Sequence, residues 1–289
     1  MRVPELWIQP LRTAEPDDDI WRVFGDWLLE QDDLRGHLVL RRHEHLTHRP
    51  STRERLVRWG QIAEAHKRHE REWLGGAWPP TGVRLNWRDG FVFSATVETA
   101  NRAAAEFFDV LLTTPTGAFF SNLRWAGTPG RFWRWLQPNL AAALHTLEWR
   151  AEPLSHGALR HLVTQPQLGG LDTLDLQGSL AEGAVGALKA TTLRSLSTLA
   201  ISSNPVEDEG AKVLATTQAL ASLRQLFAGY AGIGSPGAIA LATSPWLRSL
   251  EVLSLRGNHI SPNALERLSS SANLARLRTL HAHGNGPLA

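Results

Sequence analysis

Residues 232–237 have the G-x-G-x-x-G spacing of a loop that holds dinucleotide phosphates between a strand and a helix. Such a loop uses glycine because its backbone must approach the phosphates closely. However, Ile233 and Gly237 lie 27 residues after Val206 and Gly210, which have the same relative spacing. A repeat therefore accounts for these glycines without a nucleotide, and we predict no cofactor.

Histidine is the second residue type that could support chemistry, since imidazole is a common zinc ligand. Five histidines are close together in the N-terminal part, and two more share one strand face near the C-terminus: His43, His45, His48, His66, His69, His281 and His283. The chain has no cysteine to complete a zinc site, and its carboxylates are scattered. We therefore interpret these histidines as solvated surface residues and predict no metal site.

Basic residues between positions 41 and 71 form a third candidate, a nucleic-acid surface. They are Arg41, Arg42, Arg49, Arg53, Arg55, Arg58, Lys67, Arg68 and Arg71, with Trp59 nearby. Residues 1–90 nevertheless contain 15 cationic and 15 acidic residues, so their net charge is zero. Glu54–Arg58 and Glu64–Arg68 have the i,i+4 spacing of a solvated helix face. Nucleic-acid binding is thus an alternative function and not the preferred one.

The composition excludes several other classes of protein. The 289 residues are 43% hydrophobic and 20% charged, which allows a sizeable core. With no cysteine, disulfides and thiolate nucleophiles are excluded, and Ser, His and Asp form no recognisable triad. The net charge is only +2, and no apolar run approaches the length of a membrane span. We predict a cytoplasmic protein that is not an enzyme and has no membrane partner.

A repeated motif runs through the last two thirds of the chain. Residues 250–258 read L-x-x-L-x-L-x-x-N, and residues 277–285 repeat the pattern with alanine at the third apolar position. The second apolar anchors are Ala95, Leu123, Leu147, Leu174, Leu199, Leu226, Leu253 and Leu280, at steps of 24 to 28 residues. Such regularity is typical of a solenoid.

Each repeat predicts a strand, a turn and a helix. Leu253 and Leu255 are two residues apart and therefore face the same side of a strand. Asn258 closes the motif, and its short amide is suited to bind the backbone of a turn. In the unit before, acidic residues precede a helical pattern at 206–214, where they favour the positive end of a helix. Units of this kind bury their apolar faces only by stacking.

Residues 196–214 read L-x-x-L-x-I-x-x-N-x-V-x-x-x-G-A-x-x-L and resemble the leucine-rich repeats of the ribonuclease-inhibitor-like class. Trp125 and Trp149 stand where that class has a smaller aliphatic anchor. The resemblance implies an α/β solenoid of about seven to eight strand–turn–helix units, with the strands on the concave side. It also implies protein recognition as the usual role of the fold.

Residues 1–90 lack the repeat and have helical patterns. Residues 17–19 precede an apolar helical pattern over 20–28, and Gly36 opens a second helical stretch. A capping box at 51–54 predicts a third helix that ends near Trp73. We expect these helices to cover the first repeat.

The segment 17–36 resembles the repeat-companion domain that precedes leucine-rich repeats in myxobacterial and planctomycete proteins. The matching residues are Asp26, Trp27, Leu28, Asp33, Arg35 and Gly36, followed by the Gly-Phe-Val run at 90–92. This resemblance implies a bacterial protein with a helical N-terminal cap over 1–82 and a solenoid over 83–289. It implies no particular activity.

The repeat register also predicts which side chains meet a partner on the concave face. They are Arg124, Glu148, Arg150, Asp175, Phe227, Tyr230, Arg256, His281 and His283. Phe227 directly follows the buried anchor Leu226, so its ring either meets a partner or packs against a neighbouring strand. With the single tyrosine, Tyr230, and with Arg256, it has the composition of an interface hot spot.

We therefore predict a non-catalytic scaffold or adaptor that binds a protein through the concave face. Residues 284–289 follow the last repeat without a polar helix to cover it. An uncovered strand edge favours docking, so we expect self-association or a second protein at this end. The alternative is an adaptor whose basic N-terminal helices bind nucleic acid.

Overall fold

The computed structural model describes residues 2–15, 17–47 and 51–286. The chain divides into two compact units. The first contains the residues up to Thr96 together with Asn101–Ser121, and the second contains Val97–Ala100 and the residues from Asn122 onward. The sequence predicts segments 1–82 and 83–289. The boundary between them lies earlier in the chain than the boundary between the two compact units.

The first unit combines helices with a β-hairpin. Its elements are α1 (Glu5–Thr13), α2 (Asp19–Glu30), α3 (Arg35–Thr47), α4 (Thr52–Trp73), β1 (Val83–Arg88), β2 (Phe91–Val97, which continues into the second unit), α5 (Arg102–Leu111) and a 3₁₀ turn at Pro115–Gly117. β1 and β2 are neighbours joined by Asp89 and Gly90, which both have positive φ, as a tight hairpin turn requires.

The predicted helix starts are largely confirmed. At α4, the Ser51 side chain accepts a hydrogen bond from the Glu54 amide, and the Glu54 carboxylate accepts one from the Ser51 amide. Asp18 is the N-cap residue of α2, but its carboxylate binds the Glu15 amide instead of capping the helix. The sequence patterns did not predict α1, because Pro10 lies inside it and proline is unfavourable within a helix.

Aromatic rings fill the core of the first unit, where Phe24, Phe91 and Phe119 are fully buried. Beside them the buried guanidinium of Arg35 binds the carboxylate of Asp33 and donates to Thr116 Oγ1 at 3.1 Å. Gly36 permits α2 and α3 to approach, since a Cβ there would lie 2.6 Å from the Gly25 carbonyl oxygen. Asp33, Arg35 and Gly36 of the Asp-x-Arg-Gly motif thus stabilise the packing of this unit.

The second unit alternates strands with helices along the chain. Its strands are β3 (Asn122–Trp125), β4 (Thr146–Trp149), β5 (Thr173–Asp175), β6 (Thr198–Ala200), β7 (Gln225–Phe227), β8 (Val252–Ser254) and β9 (Thr279–His281). Its helices are α6 (Pro129–Trp135), α7 (Pro138–Ala143), α8 (His156–Val163), α9 (Glu207–Thr216), α10 (Ser235–Ala242) and α11 (Pro262–Ser269), with a 3₁₀ helix at Ala184–Ala190 between β5 and β6. This is an α/β repeat architecture.

The strands β3 to β9 are parallel, and each pairs with the next in the chain. The predicted anchors Leu123, Leu147, Leu174, Leu199, Leu226, Leu253 and Leu280 are aligned in one row of this sheet. Those from Leu123 to Leu253 are fully buried, so the leucine spacing sets the register.

Buried asparagines connect successive repeats. Asn258 Oδ1 accepts hydrogen bonds from the Ala231 and Ile233 amides, and its Nδ2 donates to the Ala228 and Leu255 carbonyls. The predicted bond from this asparagine to its own turn is therefore confirmed at Leu255. The other partners belong to the preceding repeat, so the amide also links two units.

The early repeats hold tryptophan at the anchor after the strand leucine. Trp125 and Trp149 are both fully buried, and their ring centroids lie 6.2 Å apart. The ring of Phe132, from α6, lies edge-on to both at 4.9 and 5.2 Å. Two short helices, α6 and α7, lie between β3 and β4, where the later repeats have a single α-helix.

Candidate functional site

One face of the sheet β3–β9 carries the residues that the sequence predicts for partner binding. Side chains directly before and after a buried anchor leucine lie on the opposite face of the strand. We call this the polar sheet face. Its first row is Asn122, Thr146, Thr173, Thr198, Gln225, Val252 and Thr279. Its middle row is Arg124, Glu148, Asp175, Ala200, Phe227, Ser254 and His281. Its third row, two residues after the middle row, is Ala126, Arg150, Gln177, Ser202, Gly229, Arg256 and His283.

At the β3–β5 end of this face, the charged residues pair with one another. Arg124 Nε donates to Glu148 Oε2 at 2.8 Å, and Arg150 Nη2 lies 3.6 Å from the same oxygen. Arg150 also donates through two nitrogens to the carboxylate of Asp175, which raises the pKa of the guanidinium. This ion-pair chain of Arg124, Glu148, Arg150 and Asp175 has no net charge, so its members already satisfy one another.

The first row was not recognised in the sequence. It places Thr146, Thr173 and Thr198 side by side in register, and all three are half-buried. The signal was present, because each threonine directly precedes an anchor leucine and therefore shares the face of the residue that follows that leucine. Hydroxyl groups thus border the ion-pair chain along one side.

Tyr230 is the most exposed aromatic side chain on the sheet side of the second unit, with 56% of its surface accessible. Its backbone is left-handed, at φ +53°, a conformation that costs a bulky residue about 1–2 kcal/mol. The same turn position in the adjacent repeats is also left-handed and holds small residues, Ser203, Gly257 and Gly284. The fold therefore requires this conformation, and one repeat accommodates a tyrosine in it.

Arg256 and Gly257 of the next repeat support the Tyr230 ring. The Arg256 guanidinium carbon lies 5.2 Å from the ring centroid, a cation–π contact. A Cβ built on Gly257 would lie 2.2 Å from Tyr230 Cε1, so the ring packs directly on the backbone there. Tyr230 is thus exposed on one side and held in place on the other, as expected for an anchor that is ordered before binding.

Phe227 is half-buried, between the two positions that the sequence left open for its ring. Its register neighbour Ser254 is buried to 7% accessibility. His281 and His283 are exposed, as predicted. The accessible anchors at the β7–β9 end are therefore Tyr230, Arg256 and the two histidines.

The G-x-G-x-x-G segment binds a carboxylate of the chain itself. Asp208 Oδ1 accepts hydrogen bonds from the amides of Gly234 and Gly237, both at 2.8 Å. A Cβ on Gly237 would lie 2.6 Å from that oxygen, which explains the glycine. The start of α10, where a phosphate would bind, is thus occupied by the preceding repeat.

The basic residues of the N-terminal helices are partly neutralised in the structure. Arg42 Nη1 binds Asp89 Oδ2 at 3.1 Å, and Arg68 binds Glu64 at 3.2 Å. Residues 48–50, which include His48 and Arg49, and the side chains of Arg55, Arg58 and Trp59 lie outside the described residues.

Over residues 2–15, 17–47 and 51–286, no cluster of three or more His, Asp or Glu residues could hold a metal ion. The interpretation of the N-terminal histidines as solvated surface residues was wrong at His43, which is buried, with its ring Nε2 3.1 Å from the Asp17 carbonyl oxygen. Within the same ranges, no helix combines the length and the apolar character needed to cross a bilayer.

In the last repeat Leu280 is half-buried, whereas Leu253 beside it is fully buried. The expected docking at this end stays a prediction.

Comparison with known proteins identifies repeats but gives no function. Residues 192–215 and 247–269 match the family described as Leucine Rich repeat, and these segments contain β6 and β8. No curated protein matches the chain. An internalin from Listeria monocytogenes of known structure is similar at 18% identity with a TM-score of 0.36, over 56% of this chain and 47% of that chain. The chain thus spans about half of the internalin's length and contains leucine-rich repeats.

Proposed function

We propose that this chain, which contains leucine-rich repeats, is a non-catalytic recognition protein that binds a protein partner through the polar sheet face. The observation that carries the proposal is Tyr230, an exposed ring held in a left-handed turn. Backbone strain of this kind persists where the surrounding structure enforces it, and it is common at binding sites. A side chain with no role would be expected to give way to the glycine or serine of the adjacent repeats.

The contact region is the β7–β9 end of the face, formed by Tyr230, Arg256, His281 and His283. An exposed tyrosine beside an arginine is the usual composition of an energetically dominant interface contact. The ion-pair chain at the β3–β5 end contributes specificity instead, because its charges already have partners and surface pairs are weak.

Finer features belong to the same proposal. The repeats form a curved solenoid of about seven to eight units, with the polar sheet face on its concave side. The N-terminal residues are a companion-type cap in a bacterial, cytoplasmic adaptor, whose last repeat docks on a second copy or another protein.

The test is a comparative pull-down from nuclease-treated lysate with the wild-type protein, Tyr230→Gly and Ser203→Gly as baits. Ser203 has the same left-handed turn position one repeat earlier and is the matched control. Tyr230→Gly removes both the ring and its strain, so the free energy of unfolding should stay within about 1 kcal/mol of wild type.

A partner that is recovered by wild type and Ser203→Gly but is lost with Tyr230→Gly supports the proposal. Recovery that is equal for all three baits contradicts it. A partner that is recovered from untreated lysate in a parallel pull-down but is lost from nuclease-treated lysate favours nucleic-acid binding by the N-terminal helices instead.

A further inference from the structure

Charge is distributed unequally along the polar sheet face. In its middle and third rows, β3–β5 and the residues that follow contribute two guanidiniums and two carboxylates, which pair with one another. The same rows from β6 to β9 contain no carboxylate, and their basic side chains are Arg256, His281 and His283. In these rows the charged side chains of one end thus neutralise one another, whereas the only ionisable side chains of the other end are basic.

The Arg256 side chain makes two contacts with the preceding repeat. A Cβ built on Gly229 would lie 2.9 Å from Arg256 Cγ, so the aliphatic stem passes over the glycine backbone. The guanidinium then lies against the face of the Tyr230 ring, with its carbon 5.2 Å from the centroid. Within the described residues, no hydrogen bond or ion pair engages its N–H groups. The fork is exposed and lies on the Tyr230 ring without a hydrogen-bond acceptor from the described residues.

Two carboxylates of these repeats lie outside the middle and third rows. Glu251 directly precedes β8 and pairs with Arg224 at 3.4 Å. Glu207 is the first residue of α9, and its Cγ is 3.5 Å from a Cβ built on Gly232. The Arg256 fork is therefore available to an acceptor from another molecule.

We propose that Arg256 binds a carboxylate of the protein partner in a bidentate manner, beside the Tyr230 ring, and that the bound segment is acidic. This inference rests on the proposed function of the polar sheet face. A guanidinium fork matches the two oxygens of a carboxylate in spacing and charge. His281 and His283 of the neighbouring repeat add further donors for acidic residues on either side.

The surroundings favour an acidic peptide over a nucleic acid. A nucleic-acid strand is held by several cations along its backbone and by successive rings under its bases. Here one exposed ring stands beside one guanidinium, and the first-row neighbours Gln225, Val252 and Thr279 are uncharged. This arrangement suits a single carboxylate next to an apolar or aromatic side chain.

The test is a selection from a display library of random peptides against the full chain, followed by fluorescence anisotropy with the peptides that are enriched. We expect enriched peptides to contain Asp or Glu. Arg256→Gln should weaken their binding at least about tenfold, the usual worth of a charged bidentate contact. Arg256→Lys should restore only part of the lost affinity, because lysine keeps the positive charge but lacks the guanidinium fork. Arg267→Gln removes an exposed arginine of α11, outside the polar sheet face, and should leave binding unchanged.

The outcomes separate the inference from the proposed function. Enriched peptides that lack acidic residues but still depend on Tyr230 overturn the acidic partner and leave the recognition surface intact. Peptides that bind Tyr230→Gly as well as wild type overturn both. Binding of a poly(U) RNA probe that depends on Arg256, with no acidic peptide enriched, assigns the surface to nucleic acid and also overturns the inference.

Discussion

The ring of Tyr230 rests on the backbone of Gly257, so closely that a Cβ at Gly257 would lie 2.2 Å from Tyr230 Cε1. The two residues occupy the same turn position in successive repeats, and both have positive φ. The turn of one repeat therefore provides the surface on which the Tyr230 side chain of the preceding repeat packs. Tyrosine is possible at 230 because position 257 has no side chain.

Gly257→Ala tests this relationship. The new methyl group is unfavourable at φ +64° and also displaces the Tyr230 ring, so it should destabilise the protein by about 2 kcal/mol and weaken partner binding. Gly284→Ala is the matched control, because its φ is +73° but a Cβ there would lie 3.5 Å from its nearest neighbour. Urea unfolding of both variants measures the difference, and equal losses would show that the ring does not depend on Gly257.

Asn258→Ala should be among the most destabilising single changes in the repeats. It leaves the Ala231 and Ile233 amides and the Ala228 carbonyl without their side-chain partner, in a buried site. We expect a loss of about 3 kcal/mol or more. Asn285 makes the same type of contacts but is half-buried, so Asn285→Ala should cost distinctly less. Chemical denaturation of the two variants provides the comparison.

Asp208 tests whether one repeat caps the helix of the next. Asp208→Ala removes the acceptor for the Gly234 and Gly237 amides and should cost about 1 kcal/mol, as for other caps. Asp208→Asn keeps an acceptor oxygen and should recover most of that loss. The exposed neighbour Glu209 is the control, since Glu209→Ala removes only a surface pair with Lys212. A thermal melt in which Asp208→Ala and Glu209→Ala are equal would exclude the capping role.

His66 predicts a pH dependence of the first unit. Burial lowers the pKa of His66, whose ring lies 4.3 Å from that of Trp87. As the pH falls, His66 therefore takes up a proton in the unfolded chain at a higher pH than in the folded protein. The free energy of unfolding should consequently decrease as the pH drops below about 6.5. His66→Phe keeps the ring packing and cannot titrate, so its unfolding midpoint should change less between about pH 7 and pH 5. His259→Gln, at an exposed site, should retain the wild-type profile. If the unfolding midpoint of His66→Phe depended on pH as that of wild type does, His66 would not be the source of the pH dependence.

The strand register was predictable because buried leucines at a regular spacing leave few alternatives. Leu199, Leu226 and Leu253 lie where the repeat predicts them, and Asn204 and Asn258 bind the backbone next to them. These features depend on backbone geometry and burial, which a repeated sequence specifies locally.

The detail of the surface was less predictable, since it depends on side-chain pairing across repeats. Arg124 and Glu148 were named individually, but their pairing follows from a register that brings residues 24 positions apart side by side. The pattern left open whether the Phe227 ring is exposed or packed, because the burial of a flanking ring depends on its neighbours, and the ring is half-buried. The left-handed φ of Tyr230 has no signal in its own residue type.

The central claim is that a partner lies against Tyr230, and a photo-cross-linking amino acid tests it most directly. Incorporated at position 230, it should form a discrete covalent adduct in cells, whereas at Arg267, exposed on α11, it should not. The adduct should disappear when the Arg256→Gln change is added. A cross-link that forms at 267 and is absent at 230 would contradict the account and move the recognition surface to the helices.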